Sequence, residues 1–302
     1  MDTMERLQKI FSDEETNQRL PSPYKPRPTD VVVVGPPKSG TTWLQQILHQ
    51  IRTKGDENFE DIYEVTWWLP AVDVPLYKID VNAEQVANPR VFKCHDKYDL
   101  VPKGGGMKFI VIIRDPYDCY WSFIKFFFRY YGAEEDMEEG AALEWFQKLC
   151  DYYALLTSWY AHRDDPNVLW LHYEDLKSDL RFCITEIAEF IQVPLNEEEL
   201  SRVYSFCTFE YMSKHDKRFA ADNIMQFSAN YIDTEKWNIN CTMVRKDGGR
   251  IGDGRTSAGP KVRQDIAQRW AETVYKQLGF SDYDALLKEA SFLKKHGRQV
   301  TK

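Results

Sequence analysis

DVVVVGPPKSGTTWLQQILHQIRTK, residues Asp30–Lys54, is the stretch that decides the fold. Four consecutive valines between an aspartate and a glycine make a short, wholly apolar, β-branched run, as expected of a parallel strand buried on both faces. TTWLQQILHQIRTK follows with Trp43, Ile47 and Ile51 at helical spacing. The junction, GPPKSGTTW, joins that strand directly to that helix. Gly35 and Gly40 let the backbone turn tightly, so that the amides of Ser39, Gly40, Thr41 and Thr42 point inward at the helix start. Such amides, with the positive end of the helix dipole, form an anion site. Lys38 adds a mobile point charge, and Thr41 and Thr42 add hydroxyl donors. Gly35–Thr42 therefore reads as a grip for a phosphorylated nucleotide. The plainer reading is an ordinary glycine turn, and the gathering of a lysine, a serine and two threonines at one helix entry disfavours it.

The order of residues in this loop narrows its chemistry. Nucleotide-hydrolysing loops place lysine after the second glycine, followed by a Ser/Thr that ligates Mg²⁺. Here Thr41 occupies that place and Lys38 lies two residues before Gly40. A nucleotide kinase or hydrolase remains the alternative, weakened by this order, and no metal is demanded. The six histidines show no metal-ligand spacing.

Working outward, PRVFKCH (89–95), MKFIVIIRD (107–115) and NVLWLHYED (167–175) predict three further buried strands. Helices are predicted over about 116–131, 140–162, 177–191, 197–207 and 260–278. Strands alternating with helices give an α/β fold, a central parallel sheet with helices on both faces. No linker divides the chain, so 1–302 is expected to be one domain, with 1–29 an extended Pro-rich arm and 236–260 a functional glycine-containing loop. The composition, 43% hydrophobic and 14% aromatic, supports a large core. A formal charge of −8 argues against general nucleic-acid binding. No run approaches the ~18 apolar residues of a membrane span. The N-terminal MDTMERLQKIFSDEE lacks the apolar stretch of a signal peptide, and six scattered cysteines fit free thiols. A cytoplasmic location is expected.

PKSGTTW resembles the loop of the cytosolic-type sulfotransferases, which use 3′-phosphoadenosine 5′-phosphosulfate (PAPS). Further matches follow in order over residues 35–250. The resemblance implies a P-loop-like fold whose strand–loop–helix holds the phosphosulfate through Lys38, Ser39, Gly40, Thr41 and Thr42. RDP at 114–116 ends a strand and feeds a helix, and in the family the matching Arg114 and Ser122 hold the 3′-phosphate. Alone, they read equally well as a surface ion pair and a solvent-facing serine. FKCHD (92–96) projects Lys93 and His95 to one side by the period of two. A lone histidine is usually structural, but the family's Lys-x-His places its general base here. The family's KTHL is changed by Cys94 and Asp96, and Asp96 is expected to raise the His95 pKa or to engage a cationic acceptor.

LHYEDLKSD (171–179) resembles the family's strand-to-helix corner, which carries Tyr173 over to the adenosine. Trp43 matches the adenine-stacking tryptophan, and a core position is an even alternative for it. CTFEYM (207–212) offers Phe209 and, more weakly, Met212 as adenine contacts, with Cys207 where a threonine is common. VRKDGGRIGDG (244–254) resembles the segment closing over the 3′-phosphate. Arg245 and Lys246 match, Asp247 replaces a glycine, and Gly248 is the candidate amide donor. The family's C-terminal dimer signature is not recognisable in RTSAGPKVRQD (255–265), so no dimer interface is carried over. Trp67-Trp68 and FFFRYY (126–131) read as core, with the part beside the site lining a pocket for a small-molecule acceptor.

The implied activity is transfer of a sulfuryl group from PAPS to an acceptor hydroxyl or amine, releasing 3′-phosphoadenosine 5′-phosphate (PAP). His95 acts as base, and Lys38 with Lys93 neutralises charge on the leaving nucleotide. A catalytically weak PAPS-binding relative is the second alternative, and a structural or interaction protein ranks last.

Overall fold

The computed structural model describes residues 24–69, 80–131, 143–144, 146–147, 151–220, 242–244 and 248–300. Strand β1, Val31–Val34, lies at the centre of a five-stranded sheet. The other strands are β2 (Trp67–Trp68), β3 (Val91–Cys94), β4 (Lys108–Ile113) and β5 (Val168–His172). Their order is β2-β3-β1-β4-β5 and every pairing is parallel. Val33 pairs with Lys93 on one side and with Ile110 on the other.

Alternation along the strands sorts the core into two layers. Val32, Val34, Phe92, Phe109, Val111 and Trp170 face one layer, and Val31, Val33, Val91, Ile110, Ile112 and Leu171 face the other. All four valines of β1 are fully buried, each worth about 2 kcal/mol of transfer free energy. Helices cover both faces, as the unbroken apolar runs require.

Along the chain, α1 is Thr41–Thr53, α2 Ile62–Val65, α3 Pro116–Tyr131 and α4 Tyr152–Tyr160. Next come α5 (Tyr173–Ser178), α6 (Leu180–Phe190), α7 (Glu197–Cys207) and α8 (Phe209–Lys214). The C-terminal part holds α9 (Asp253–Ser257), α10 (Pro260–Trp270), α11 (Tyr283–Ala290) and α12 (Phe292–Lys295). Helices α1, α6, α7 and α12 pack on the Val31/Val33 face, and α3, α4, α10 and α11 on the other.

Four local readings change. The helix expected over 140–162 is interrupted at Asp151, with α4 beginning at Tyr152 and ending at Tyr160. The strand expected over 167–175 stops at His172, because Tyr173 opens α5. The carboxylate of Asp175 reaches back to the His172 amide at 2.8 Å and turns the chain into the helix. The helix expected over 177–191 is broken at Asp179, which caps α6 through the Phe182 amide at 3.1 Å. Trp67-Trp68 forms the edge strand β2 rather than only core. Among the described residues, no helix is long and apolar enough to cross a membrane.

In this order the chain leaves β1 to one side for β2 and β3, then crosses to the other side for β4 and β5. The carboxyl ends of β3, β1 and β4 therefore border the crevice where open α/β sheets bind ligands.

Candidate active site

The β1–α1 turn is shaped from within. Gly35 has no room for a side chain, since a Cβ would come 2.4 Å from the Ile112 carbonyl and 2.7 Å from Ser39 Oγ. Ser39 is buried and donates both its amide (3.1 Å) and its hydroxyl (2.7 Å) to the Pro36 carbonyl. Ser39 thus serves the loop. Lys38 takes the left-handed conformation at φ 70°, costing roughly 1–2 kcal/mol for a side-chain-bearing residue, and strain of this kind gathers at functional sites. Gly40, at φ 108°, caps α1 without any side-chain hydrogen bond. The first amides of α1 thus receive no side-chain cap from Gly40, as an anion site requires. Thr41 is buried in that first turn and Thr42 is partly exposed.

His95 follows β3, and its Nδ1 lies 2.6 Å from the Gly35 carbonyl oxygen. A carbonyl only accepts, so Nδ1 carries the proton and Nε2 presents its lone pair. The imidazole is partly buried, with the Trp68 ring edge-on at 6.2 Å. Burial, then the cations of Lys93 and Lys38, push its pKa down to about 3. The expected raising by Asp96 is therefore not found. The Asp96 carbonyl instead accepts a 2.8 Å bond from the Trp159 indole.

Lys93 is 5% exposed and donates to the Tyr63 hydroxyl at 2.8 Å. Burial, reinforced by the Lys38 cation, lowers its pKa to about 7. Lys38 Nζ sits 4.0 Å over the Phe126 ring and 3.5 Å from Met243 Sδ. Two lysines and a neutral histidine thus converge beside the uncapped end of α1.

A second cationic centre forms at the end of β4. Arg114 is buried and stacks 4.1 Å over the Tyr173 ring. It meets Asp118 at 3.4 Å, so this ion pair is internal rather than on the surface. Arg114 Nε is buried without a hydrogen-bond partner, and a buried donor of this kind is costly unless a ligand satisfies it. Ser122, two turns into α3, is also buried. The Tyr173 hydroxyl donates to the Gly249 carbonyl at 3.3 Å, and its ring meets Trp43 edge-on at 5.6 Å. Trp43 is tied by its indole to the Cys207 carbonyl at 2.7 Å. Phe209 lies under the Lys177 ammonium at 5.6 Å, and Met212 is buried in the adjoining cluster.

Gly248 adopts φ 91°. The expected loop over 236–260 contains helix α9, and Arg245, Lys246 and Asp247 lie outside the described residues. The structure adds three residues that the motifs do not mark: Tyr63 on Lys93, Met243 on Lys38, and Asp118 on Arg114. Tyr63 and Met243 have no local sequence signal, because each meets its partner only through the fold, whereas Asp118 stands one helical turn from Arg114 in RDPYD and its spacing could have marked it.

The loop, the Arg114 centre and the aromatic pair Trp43–Tyr173 together fit a ligand with an aromatic base and two separated anionic ends. The unpartnered Arg114 Nε and the Gly40-capped end of α1 are the observations that support this fit.

The chain is similar to known sulfotransferases. An amine sulfotransferase of Oryctolagus cuniculus is 34% identical over 200 residues, 63% of this chain and 64% of that protein, so the chain spans just under two thirds of that relative's length. Sulfotransferase 2A1 of Rattus norvegicus is 29% identical over 212 residues, 67% of this chain and 73% of that protein. A mouse sulfotransferase crystallised with PAP has the same fold, with a TM-score of 0.62 and 23% identity over 95% of each chain. Retinol dehydratase, solved with androsterone and the inactive cofactor PAP, superposes with a TM-score of 0.63 at 21% identity, over 87% of this chain and 84% of that one. The family described as sulfotransferase domain matches residues 28–236, and the chain belongs to that family.

Proposed function

We propose that this protein transfers a sulfuryl group from PAPS to the hydroxyl or amine of a small-molecule acceptor, with His95 as general base. The observation that carries the reading is the bond between His95 Nδ1 and the Gly35 carbonyl. It ties the base to the loop that would hold the phosphosulfate, and it leaves Nε2 free to take a proton. Lys38, Lys93 and the amides of Gly40, Thr41 and Thr42 would bind the 5′-phosphosulfate. Arg114 and Ser122, with Arg245, Lys246 and the Gly248 amide, would bind the 3′-phosphate. Trp43, Tyr173 and Phe209 would hold the adenosine, with Ser39 keeping the loop in shape.

In the reaction, the acceptor oxygen (or nitrogen) forms a bond to sulfur as the bond from sulfur to the 5′-phosphate oxygen breaks. The acceptor proton moves to His95 Nε2, and the electron pair of the broken bond stays on the phosphate oxygen, where Lys38 and Lys93 offset the charge. A positioned base contributes typically ~10²–10⁴ in rate. The low His95 pKa serves this step, since the free site keeps the imidazole unprotonated at neutral pH. A dianionic end bound against Lys38 and Lys93 offsets the cations that hold the pKa down, so the imidazole gains basicity when the site is loaded.

No metal enters this scheme. Cys94, Cys119, Cys183 and Cys207 are buried thiols outside any disulfide, which supports a reducing compartment and hence a cytoplasmic location. The rabbit relative's name makes amines a class to include beside phenols, alcohols and steroids in an acceptor panel.

The test is turnover with labelled PAPS, alongside PAP binding by calorimetry. His95→Ala is expected to lower kcat by at least about 10²-fold and to leave the PAP dissociation constant within about twofold. Loss of PAP binding together with turnover would remove His95 from the role of base. Turnover that stops with a chelator would favour a kinase or hydrolase. PAP binding without transfer to any acceptor would mark a binding-only relative.

A further inference from the structure

The side chain of Asp118, on the first turns of α3, is fully buried and is used three times. Its Oδ1 accepts the Gly254 amide at 2.7 Å, and its Oδ2 accepts the Gly252 amide at 3.0 Å. The same Oδ2 lies 3.4 Å from Arg114 Nη2. The two amides belong to the glycine-containing segment 248–254, more than a hundred residues further along the chain.

That segment is seated against α3 with little tolerance. A Cβ on Gly254 would come 2.1 Å from the Tyr117 carbonyl oxygen, so only glycine reaches the carboxylate at that depth. A second anchor stands beside the first. Arg255 pairs with Asp115, three residues from Asp118, and with Asp284 at 3.2 Å. At its other end the segment offers the Gly249 carbonyl to Tyr173, whose ring stacks on Arg114. Arg114 is therefore enclosed by groups that also fix this segment, while its own bond to Asp118 is long and its Nε is unsatisfied.

We propose that Asp118 is a positioning residue that docks segment 248–254 on α3 and sets Arg114 beside it, so that amide and guanidinium donors converge on the 3′-phosphate of the nucleotide. A carboxylate close to an anion site is unfavourable by charge alone. Here that charge is engaged by two backbone amides and one guanidinium, which turns it inward and leaves the outer Arg114 donors to the ligand. This inference rests on the PAPS reading, since it needs a ligand with a phosphate at that end.

The experiment compares binding of PAP and of AMP, which differ only in the 3′-phosphate. It uses the full chain and the variants Asp118→Asn, Gly254→Ala and the double variant. The wild-type protein is expected to prefer PAP, and absence of that preference would overturn the PAPS reading and this inference with it. Asp118→Asn is nearly isosteric but turns a donor toward an amide, and about tenfold weaker PAP binding is expected, with AMP binding changed less than twofold. Gly254→Ala attacks the same dock from the other side, is expected to give the same selective loss, and keeps the test alive if Asp118→Asn fails to fold. Because both act on one contact, the double variant is expected to lose no more than the worse single one. Equal losses for PAP and AMP, or losses that multiply in the double variant, would overturn the positioning role.

Discussion

Lys93 changes charge within the working pH range, because burial and the Lys38 cation bring its pKa down to about 7. Below that value its ammonium would attract the phosphosulfate end of the proposed donor, and above it that attraction would fade. PAP binding by calorimetry is therefore expected to weaken as the pH rises from 6 to 8.5. Lys93→Met is expected to cost about tenfold at pH 6, as for a lost bond to a charged group, and almost nothing at pH 8.5. Equal losses at both pH values would mean that Lys93 keeps its proton throughout. The sequence marks Lys93 and His95 clearly, because the alternation of a strand is enough to place them on one side. Their surroundings are not legible in the same way. Tyr63, Met243 and Asp118 meet Lys93, Lys38 and the Gly252 amide across 30, 205 and 134 residues, and no spacing rule reaches so far. Asp96 shows the converse error, since adjacency in sequence suggests a charge coupling that the turn after β3 does not produce.

The β1–α1 element is where sequence and geometry agree most closely. Its glycines read as backbone requirements, and the structure gives the reason for each: Gly35 lies under the Ile112 carbonyl and Gly40 takes φ 108° against Tyr173. Gly40→Ala would add a Cβ 2.9 Å from the Tyr173 ring in a conformation that L-residues avoid. A loss of roughly 1–3 kcal/mol is expected, read as a lower urea midpoint with unchanged slope, together with strongly weakened PAP binding. An alanine variant with wild-type stability and affinity would show that the turn is looser than described. The limits of α5 and α6 are less legible, because they depend on which carboxylate caps which amide. Asp175 and Asp179 both sit in LHYEDLKSD, and composition alone does not choose between them. Asp175 also binds Ser291 at 2.6 Å and the amides of Phe292 and Leu293 at 3.2 and 3.3 Å, so it holds α12 to the start of α5. The edge strand Trp67–Trp68 escapes a reading by pattern because two residues carry no periodicity to detect.

Across the whole molecule, buried imidazoles set the response to acid. His49, His95 and His172 are pushed down to about 3, 3 and 4, in each case chiefly by burial. The unfolded chain binds protons on these rings near pH 6.5, whereas the folded chain refuses them until about pH 4. Their contribution to stability is thus complete above 6.5 and is lost as the pH falls below it. Glu174 works in the opposite direction, because burial raises its carboxyl to about 7. It keeps a proton in the folded state between about 4.5 and 7, and its contribution is lost as the pH rises through 7. Burial also raises the carboxyls of Asp115 and Glu57 in the same sense as Glu174. The three rings set against Glu174 alone give an expected fall in stability on the order of 3 kcal/mol from pH 7 to pH 5, measured as the urea midpoint. A midpoint that rises toward pH 5 would show that these rings are not held neutral. The tether between His95 and Gly35 has a consequence for how such a protein changes over time. In the proposed mechanism the imidazole that would take the proton is tied to the backbone of the loop at Gly35, and not to the Trp68 and Phe126 rings nearby. On that reading, substitutions that reshape these rings for another acceptor would leave the base held where it is by the loop.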